Sequence, residues 1–390
     1  SGLALLISVF STVLADGFEA QAGDEQIHYS VFHDYRVVPV AEGLERPWSL
    51  AFLPNGDLLV TEKAGRLRIV REGELLPQPV PGLPEIFTTG QAGLLDVVPH
   101  PGFAENRWLY ITYSKPLDGE ESTTAVIRGR FEGDRLDDVE ELFEAVSSGR
   151  GHYGSRLAFD GAGHLFVTVG DRQASPSGDL EAHPAQDLSK HQGVVVRLNE
   201  DGTVPEDNPF VGQAGARPET WSYGHRNAQG MFFDADSGRL WITEHGPQGG
   251  DELNLIEPGK NYGWPVIGYG VNYGSGSVIH IGTRRDGMEQ PKKVWVPSIG
   301  TSGLVIYRGE KFPNWNGAFL AGGLSGNRVT LLQMNEDEVV REDTLVQGLG
   351  RIRDVRVGPD ELVYLAIDNR DEGQPAIVRL EPVPRAEIRQ

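Results

Sequence analysis

Short apolar runs of alternating character recur along the chain. Each meets a Pro, Gly or Asp turn and is followed by a second apolar run ending on a small or acidic residue. Six copies are legible: Trp48–Glu62, Leu94–Gly102 with Trp108–Tyr113, Ser155–Asp171, Gln229–Glu244, Gly303–Arg308 with Gly317–Gly323, and Ile352–Asp368. Alternation around turn dipeptides such as Asn55-Gly56, Asp160-Gly161 and Pro359-Asp360 predicts a β-hairpin in each copy. A lone hairpin cannot bury its faces, so six of them at intervals of roughly 45 to 75 residues predict stacking around an axis. Radial closure protects sheet edges, and the chain reads as an all-β, six-bladed β-propeller with four-stranded antiparallel blades. Arg66–Arg71, Ala125–Phe131, Val194–Asn199 and Val329–Met334 are expected to supply further strands. A tandem of β-sandwiches is the alternative. No Pro/Ser-rich linker interrupts the pattern, so residues 35–382 read as one domain.

Composition agrees with many short elements. The 390 residues include 50 Gly and 25 Pro, which disfavours a helical bundle. With 35 Lys+Arg against 56 Asp+Glu the net charge is -21, which argues against nucleic acid and anionic membranes as partners and favours cations or neutral ligands. The absence of cysteine excludes disulfides, Cys-ligated zinc, iron–sulfur clusters and thiol catalysis. The apolar run over 3–15, with small-residue sites at Val13-Leu14-Ala15 and Ala20-Gln21-Ala22, reads as a signal-peptide remnant occupying 1–22; a buried strand or a disordered tail is the other reading. The run is too short to span a bilayer. The expectation is an exported protein, periplasmic or secreted, without membrane insertion, and a monomer or homodimer.

Propeller function usually resides on loops at the axial mouth, where polar residues at matching points of several repeats are informative. His152, just before the third repeat, is either a general base with Asp171 at the end of that repeat holding its other ring nitrogen, or a structural histidine. Arg226 beside Asn227 offers donors for a carboxylate or a developing oxyanion, or else a blade-to-blade salt bridge. Arg351 and Arg353 alternate and so share a face, forming a fork for an anionic ligand unless they pair with Asp354 or Glu361. The run from Glu244 to Glu252 combines carboxylates with Gly/Pro turns that expose carbonyls, as a calcium site or an ordinary acidic turn. The acidic runs Asp137–Glu141 and Glu336–Glu338 read as solvated faces, and the stretch Asn261-Tyr262-Gly263-Trp264-Pro265 as packing. The usual motifs of nicotinamide enzymes, NTPases, nucleophile-elbow esterases and zincins are absent.

Six segments in order closely resemble the soluble pyrroloquinoline quinone (PQQ)-dependent sugar dehydrogenases, in their aldose sugar dehydrogenase branch. They are Gln91-Ala-Gly-Leu-Leu-Asp-Val, Gly151-His-Tyr-Gly-Ser-Arg-Leu, Trp221-Ser-Tyr-Gly-His-Arg-Asn-Ala-Gln-Gly, Glu244-His-Gly-Pro with Gly250-Asp-Glu-Leu-Asn, Lys260-Asn-Tyr-Gly-Trp-Pro and Arg351-Ile-Arg-Asp-Val. The resemblance spans roughly residues 35 to 382 and implies a six-bladed propeller that oxidises aldoses to lactones. It implies that His152 takes the proton of the anomeric hydroxyl, that Asp171 orients it, and that Arg226 stabilises charge on the quinone oxygen. Gln91, Asn227, Tyr273, Arg351 and Arg353 would hold PQQ, with its three carboxylates. Carbonyls of Gly246 and Pro247 would carry a calcium ion that also ligates PQQ, and Glu252 with the Tyr262 backbone would hold a second calcium. Two positions depart from the family pattern. Ser325, with Arg328 nearby, follows Leu324 where the family commonly has Lys, and His245 stands where the glucose-specific branch has Gln. Short loops between repeats suggest an open site with weak sugar discrimination. The electron acceptor is not implied. A calcium-dependent lactonase or arylesterase, and a carbohydrate-binding propeller, are the competing readings.

Overall fold

The computed structural model describes residues 26–371 and 373–385; the apolar run over 3–15 lies outside them. Within the described part each repeat becomes an antiparallel sheet whose first strand lies innermost. The inner strands are Pro47–Phe52, Leu94–Pro99, Leu157–Phe159, Ala228–Asp234, Thr301–Ile306 and Ile352–Val357. Each pairs with the second half of its own hairpin: Leu58–Glu62, Trp108–Pro116, His164–Val169, Arg239–Glu244, Phe319–Gly323 and Val363–Ile367. Consecutive inner strands pack side by side around the ring, and the last, Ile352–Val357, returns against the first, Pro47–Phe52. The result is a six-bladed β-propeller.

Closure joins distant parts of the chain. Asp34–Ala41 pairs with Ile377–Val383, from Asp34 opposite Val383 to Ala41 opposite Ile377, and Ile27–His28 adds a fifth strand to that blade. The cores lie between blades, as where Leu59, Leu67 and Ile69 of the first blade meet Leu94, Val97 and Ile111 of the second. Each such side chain contributes about 1.5–3 kcal/mol on burial. Outer strands need only one apolar face, and this hides them in the sequence. Leu136–Glu144 holds the acidic run Asp137–Glu141 with four consecutive exposed residues, and Glu338–Leu345 follows Glu336 and Asp337 in the same manner. Both acidic stretches expected as solvated faces are therefore solvent-facing edges of blades.

Five inner strands slip register near their N-terminal ends, between Pro47 and Ser49, Leu94 and Val97, Ala228 and Gly230, Thr301 and Leu304, and Ile352 and Asp354. A bulge inserts a residue and re-aims its side chain. Trp48, Gln229 and Arg353 occupy such insertions, and all three reach the pocket at the axial mouth. Among the described residues no helix is long and apolar enough to cross a membrane.

Candidate active site

The loop that enters the third blade carries His152 with φ 44° and Gly154 with φ 62°, a left-handed path that turns the imidazole toward the axis. A Cβ on Gly154 would lie 2.8 Å from the Thr168 carbonyl, so this close approach requires glycine. Two side chains from elsewhere hold the loop. Gln91 Oε1 accepts from the His152 N–H at 2.8 Å, and Asn227 Oδ1 accepts from the Gly154 N–H at 3.0 Å. Both carboxamides thereby keep their NH2 donors free of protein partners among the described residues, and both line a cavity of about 580 Å³ at the mouth.

His152 Nδ1 lies 2.6 Å from Asp171 Oδ1. The other oxygen of Asp171 accepts from Trp264 Nε1 at 2.8 Å, and Oδ1 also accepts from the Gln173 N–H at 2.9 Å. With Asp171 1% exposed, this carboxylate is fixed from three directions. Burial pushes Asp171 up, but His152, Arg226 and the Gln173 N–H outweigh it and hold the group below the usual carboxylate range. Burial pushes the His152 imidazole below its ordinary value; Asp171 opposes that shift, while Arg226 and Arg172 add to it. The imidazole is thus neutral at pH 7, with its Nδ1–H donating to Asp171 and an Nε2 lone pair that has no protein partner among the described residues. This is the arrangement of a general base.

Arg226 enters the same cavity. Its backbone N–H is held by Glu244 Oε2 at 2.9 Å, its Nη1 donates to the Gly246 carbonyl at 2.7 Å, and its guanidinium lies 5.2 Å from the Trp264 ring centroid. No carboxylate pairs with the side chain among the described residues, so the salt bridge open from the sequence is not formed, and Nε is enclosed without a partner. Across the cavity Arg351 and Arg353 do not pair with Asp354 or Glu361. They face Asp368, at 3.4 and 3.8 Å, while Asp354 pairs with Arg156 and Arg356. Arg353 also donates to Gln229 Oε1 at 2.7 Å. Burial lowers the Arg353 guanidinium to about 9 against the pull of Asp368, with the neighbouring Arg351, Arg156 and Arg370 adding to the shift. Tyr273, 67% exposed, stands at the rim with its hydroxyl donating to the Pro247 carbonyl at 3.1 Å.

Gly246, Pro247, Glu252 and Tyr262 come together around a second, smaller cavity of about 20 Å³. Burial and the neighbouring Glu244 push Glu252 up to about 8. No cluster of three or more His, Asp or Glu fit to hold a metal ion occurs among the described residues. The hard oxygen donors here are mainly carbonyls, and those of Gly246 and Pro247 already accept from Arg226 and Tyr273. Each carbonyl oxygen has two lone pairs, so these donors leave one on each oxygen for a calcium ion. For a polyanion the fit is direct, because the guanidiniums of Arg226, Arg351 and Arg353 and the free carboxamide donors of Gln91 and Asn227 line one cavity.

Every residue proposed from the sequence for the base and the anion site therefore lines one cavity: Gln91, His152, Asp171, Arg226, Asn227, Tyr273, Arg351 and Arg353. His245 joins them, pushed well down by burial and the surrounding arginines. Several residues were missed. Trp264, read as packing, holds Asp171 and covers Arg226. Trp48 and Gln229 enter through bulges, and Arg46, Lys63 and Arg370 complete the cationic wall. Asp368 was missed as the centre of that wall, although a signal existed: like Glu62, Asp171 and Glu244, it is the buried acid that ends a repeat.

Fold and pocket together define a six-bladed propeller with a cationic axial site built around a histidine–aspartate pair. The chain belongs to the glucose/sorbosone dehydrogenase family of oxidoreductases, whose sequence profile matches residues 44–379. It is 40% identical over 333 residues to the aldose sugar dehydrogenase YliI of Escherichia coli K12, covering 83% of this chain and 88% of that protein. A crystal structure of a glucose dehydrogenase superposes with a TM-score of 0.82 at 43% identity, covering 89% of this chain and 99% of the other. The PQQ-bound form of an aldose sugar dehydrogenase from Streptomyces coelicolor superposes with a TM-score of 0.72 at 27% identity, covering 90% and 98%.

Proposed function

We propose that this protein oxidises aldose sugars at the anomeric carbon to lactones with PQQ as its redox cofactor. The observation that carries the reading is the pairing of a neutral, aspartate-held His152 with a wall of cations in one cavity of an acidic protein. A pocket for a neutral ester has no use for such a wall. Arg351 and Arg353 would hold carboxylates of PQQ, with the NH2 groups of Gln91 and Asn227 and the Tyr273 hydroxyl as further donors. Bound there, PQQ supplies an electrophilic quinone that accepts the hydrogen leaving the anomeric carbon as hydride.

The chain's own residues do the rest. His152 Nε2 takes the proton of the anomeric hydroxyl, and Asp171 stabilises the imidazolium that forms without itself being protonated. Trp264 keeps the carboxylate from rotating. Arg226 places positive charge where negative charge develops on the acceptor oxygen. Carbonyls of Gly246 and Pro247 would carry calcium beside the cofactor, and Glu252 with the Tyr262 carbonyl would carry another. The test is reconstitution of the purified apoprotein with PQQ, with and without calcium, followed by dye-linked oxidation of a panel of aldoses. Saturable activity at near-stoichiometric PQQ is expected, lower after treatment with a chelator. Absence of PQQ binding under both conditions overturns the reading.

A further inference from the structure

Four guanidiniums of the axial wall share a single carboxylate. Asp368 lies 2.9 Å from Arg46, 2.8 Å from Arg370, 3.4 Å from Arg351 and 3.8 Å from Arg353. Lys63 stands on the same wall and has no part in this cluster. Its Nζ donates to the Gly90 carbonyl, and it forms no ion pair among the described residues. Its position is set by backbone rather than by a counter-charge. The Lys63 N–H donates to the Arg46 carbonyl at 3.2 Å, and the Lys63 carbonyl sits 2.2 Å from where a Cβ on Gly93 would be. The first and second blades thus clamp the residue between them with its ammonium toward the cavity.

The fifth blade brings no such charge to the cavity. Ser325 faces a separate outer groove, and Arg328 turns to Glu342 at 3.6 Å instead of to the axial cavity. Burial and the neighbouring Arg46 lower Lys63 to about 8 against the pull of Asp368, which four guanidiniums already share. A half-buried ammonium held by one carbonyl can exchange it for a carboxylate at little cost, and an anion placed there relieves the mutual repulsion of the whole wall.

We propose that Lys63, flanked by Arg46 and Arg370, forms a second carboxylate-binding subsite for the cofactor, on the side of the first and sixth blades and separate from the Arg351–Arg353 fork. This inference rests on the PQQ reading above.

The experiment measures PQQ binding to calcium-loaded apoprotein by quenching of tryptophan fluorescence, for the wild type, Lys63→Gln and Lys63→Arg, with the melting temperature of each apoprotein as a check of folding. Loss of a charge-assisted contact is expected to weaken binding to Lys63→Gln by about tenfold or more. Lys63→Arg keeps the charge and is expected to stay within about threefold of the wild type. Equal affinity of the wild type and Lys63→Gln overturns the subsite and leaves the PQQ reading intact, whereas failure of the wild type itself to bind overturns both. A second measurement needs no variant: acylation of Lys63 by an amine-reactive reagent, read by mass spectrometry, is expected to fall when PQQ saturates the protein. Labelling that PQQ does not change likewise overturns the subsite.

Discussion

Asp171 works through both of its oxygens, one on His152 and one on Trp264, and the two contacts have different consequences. The contact with His152 fixes the tautomer and raises the basicity that burial has reduced; the contact with Trp264, 93 positions away in sequence, fixes the carboxylate. His152→Ala is therefore expected to lower turnover by about 10²-fold or more while PQQ still quenches fluorescence normally; undiminished turnover would remove His152 from its role. The pH dependence has a definite sign. Neutral His152 is the working form and its folded pKa lies below 6.5, so kcat/KM should hold through neutrality and fall only as the pH drops through that lower value. Asp171→Asn removes the charge that raises the pKa of His152, so the acid limb should move to still lower pH while the plateau drops. A limb that moves upward contradicts the assignment. At this scale His152, Asp171 and the arginines were legible because they end or precede repeats. Trp264 and Lys63 were not, since nothing local marks a residue whose partner is supplied by another blade.

Between residue and ring lies a recurring device. Thr61, Thr112, Thr168 and Thr243 sit at one register in the second strands of four blades, all fully buried. In the first two blades the threonine hydroxyl accepts the backbone N–H that the bulge frees, from Ser49 at 3.0 Å and Asp96 at 2.8 Å, and Thr168 accepts the Arg156 N–H just ahead of the unbulged third inner strand at 2.9 Å. The same hydroxyls then donate to a carbonyl on the next blade, at Leu95, Ser155, Ala228 and Ser302, over 2.6 to 3.0 Å. All four threonines thus tie their blades to the neighbour, and Thr61 and Thr112 also satisfy the bulge of their own blade. Thr168→Val preserves shape but leaves the Arg156 N–H and the Ala228 carbonyl without this partner. It should cost about 1–3 kcal/mol in denaturant unfolding; an unchanged midpoint would show the relay to be dispensable. The hairpins containing these threonines were readable from alternation. The bulges were not, because an inserted residue leaves the hydrophobic pattern almost intact while shifting its register.

For the whole molecule the decisive group is Arg156, 1% exposed beneath the pocket. From the third blade it reaches Asp96 at 3.4 Å on the second, the Gln229 carbonyl at 2.6 Å on the fourth, and Asp354 and the Arg353 carbonyl at 3.1 Å each on the sixth. Its guanidinium also lies 4.2 Å from the centroid of Trp48 on the first blade. One side chain therefore spans five blades and supports the backbone of Arg353, which faces the cavity above. Arg156→Met is expected to leave Asp96 and Asp354 undercompensated and to destabilise the protein by about 3–5 kcal/mol, with PQQ affinity falling as Arg353 loses its support. A variant as stable as the wild type would show that the remaining Arg356 suffices for both acids.

Sequence alone determined the class of fold and the number of blades, because alternation and turn chemistry are local and repeat six times. It also singled out the histidine–aspartate pair and the two arginines that line one cavity, because these residues precede or end repeats. Only the tertiary structure decided which strand closes the ring, which side chains the bulges turn inward, and that Trp264, Asp368 and Lys63 belong to the site. Those outcomes depend on contacts between blades far apart in sequence, and the energy of such contacts comes from burial and charge pairing that exist only once the ring has closed.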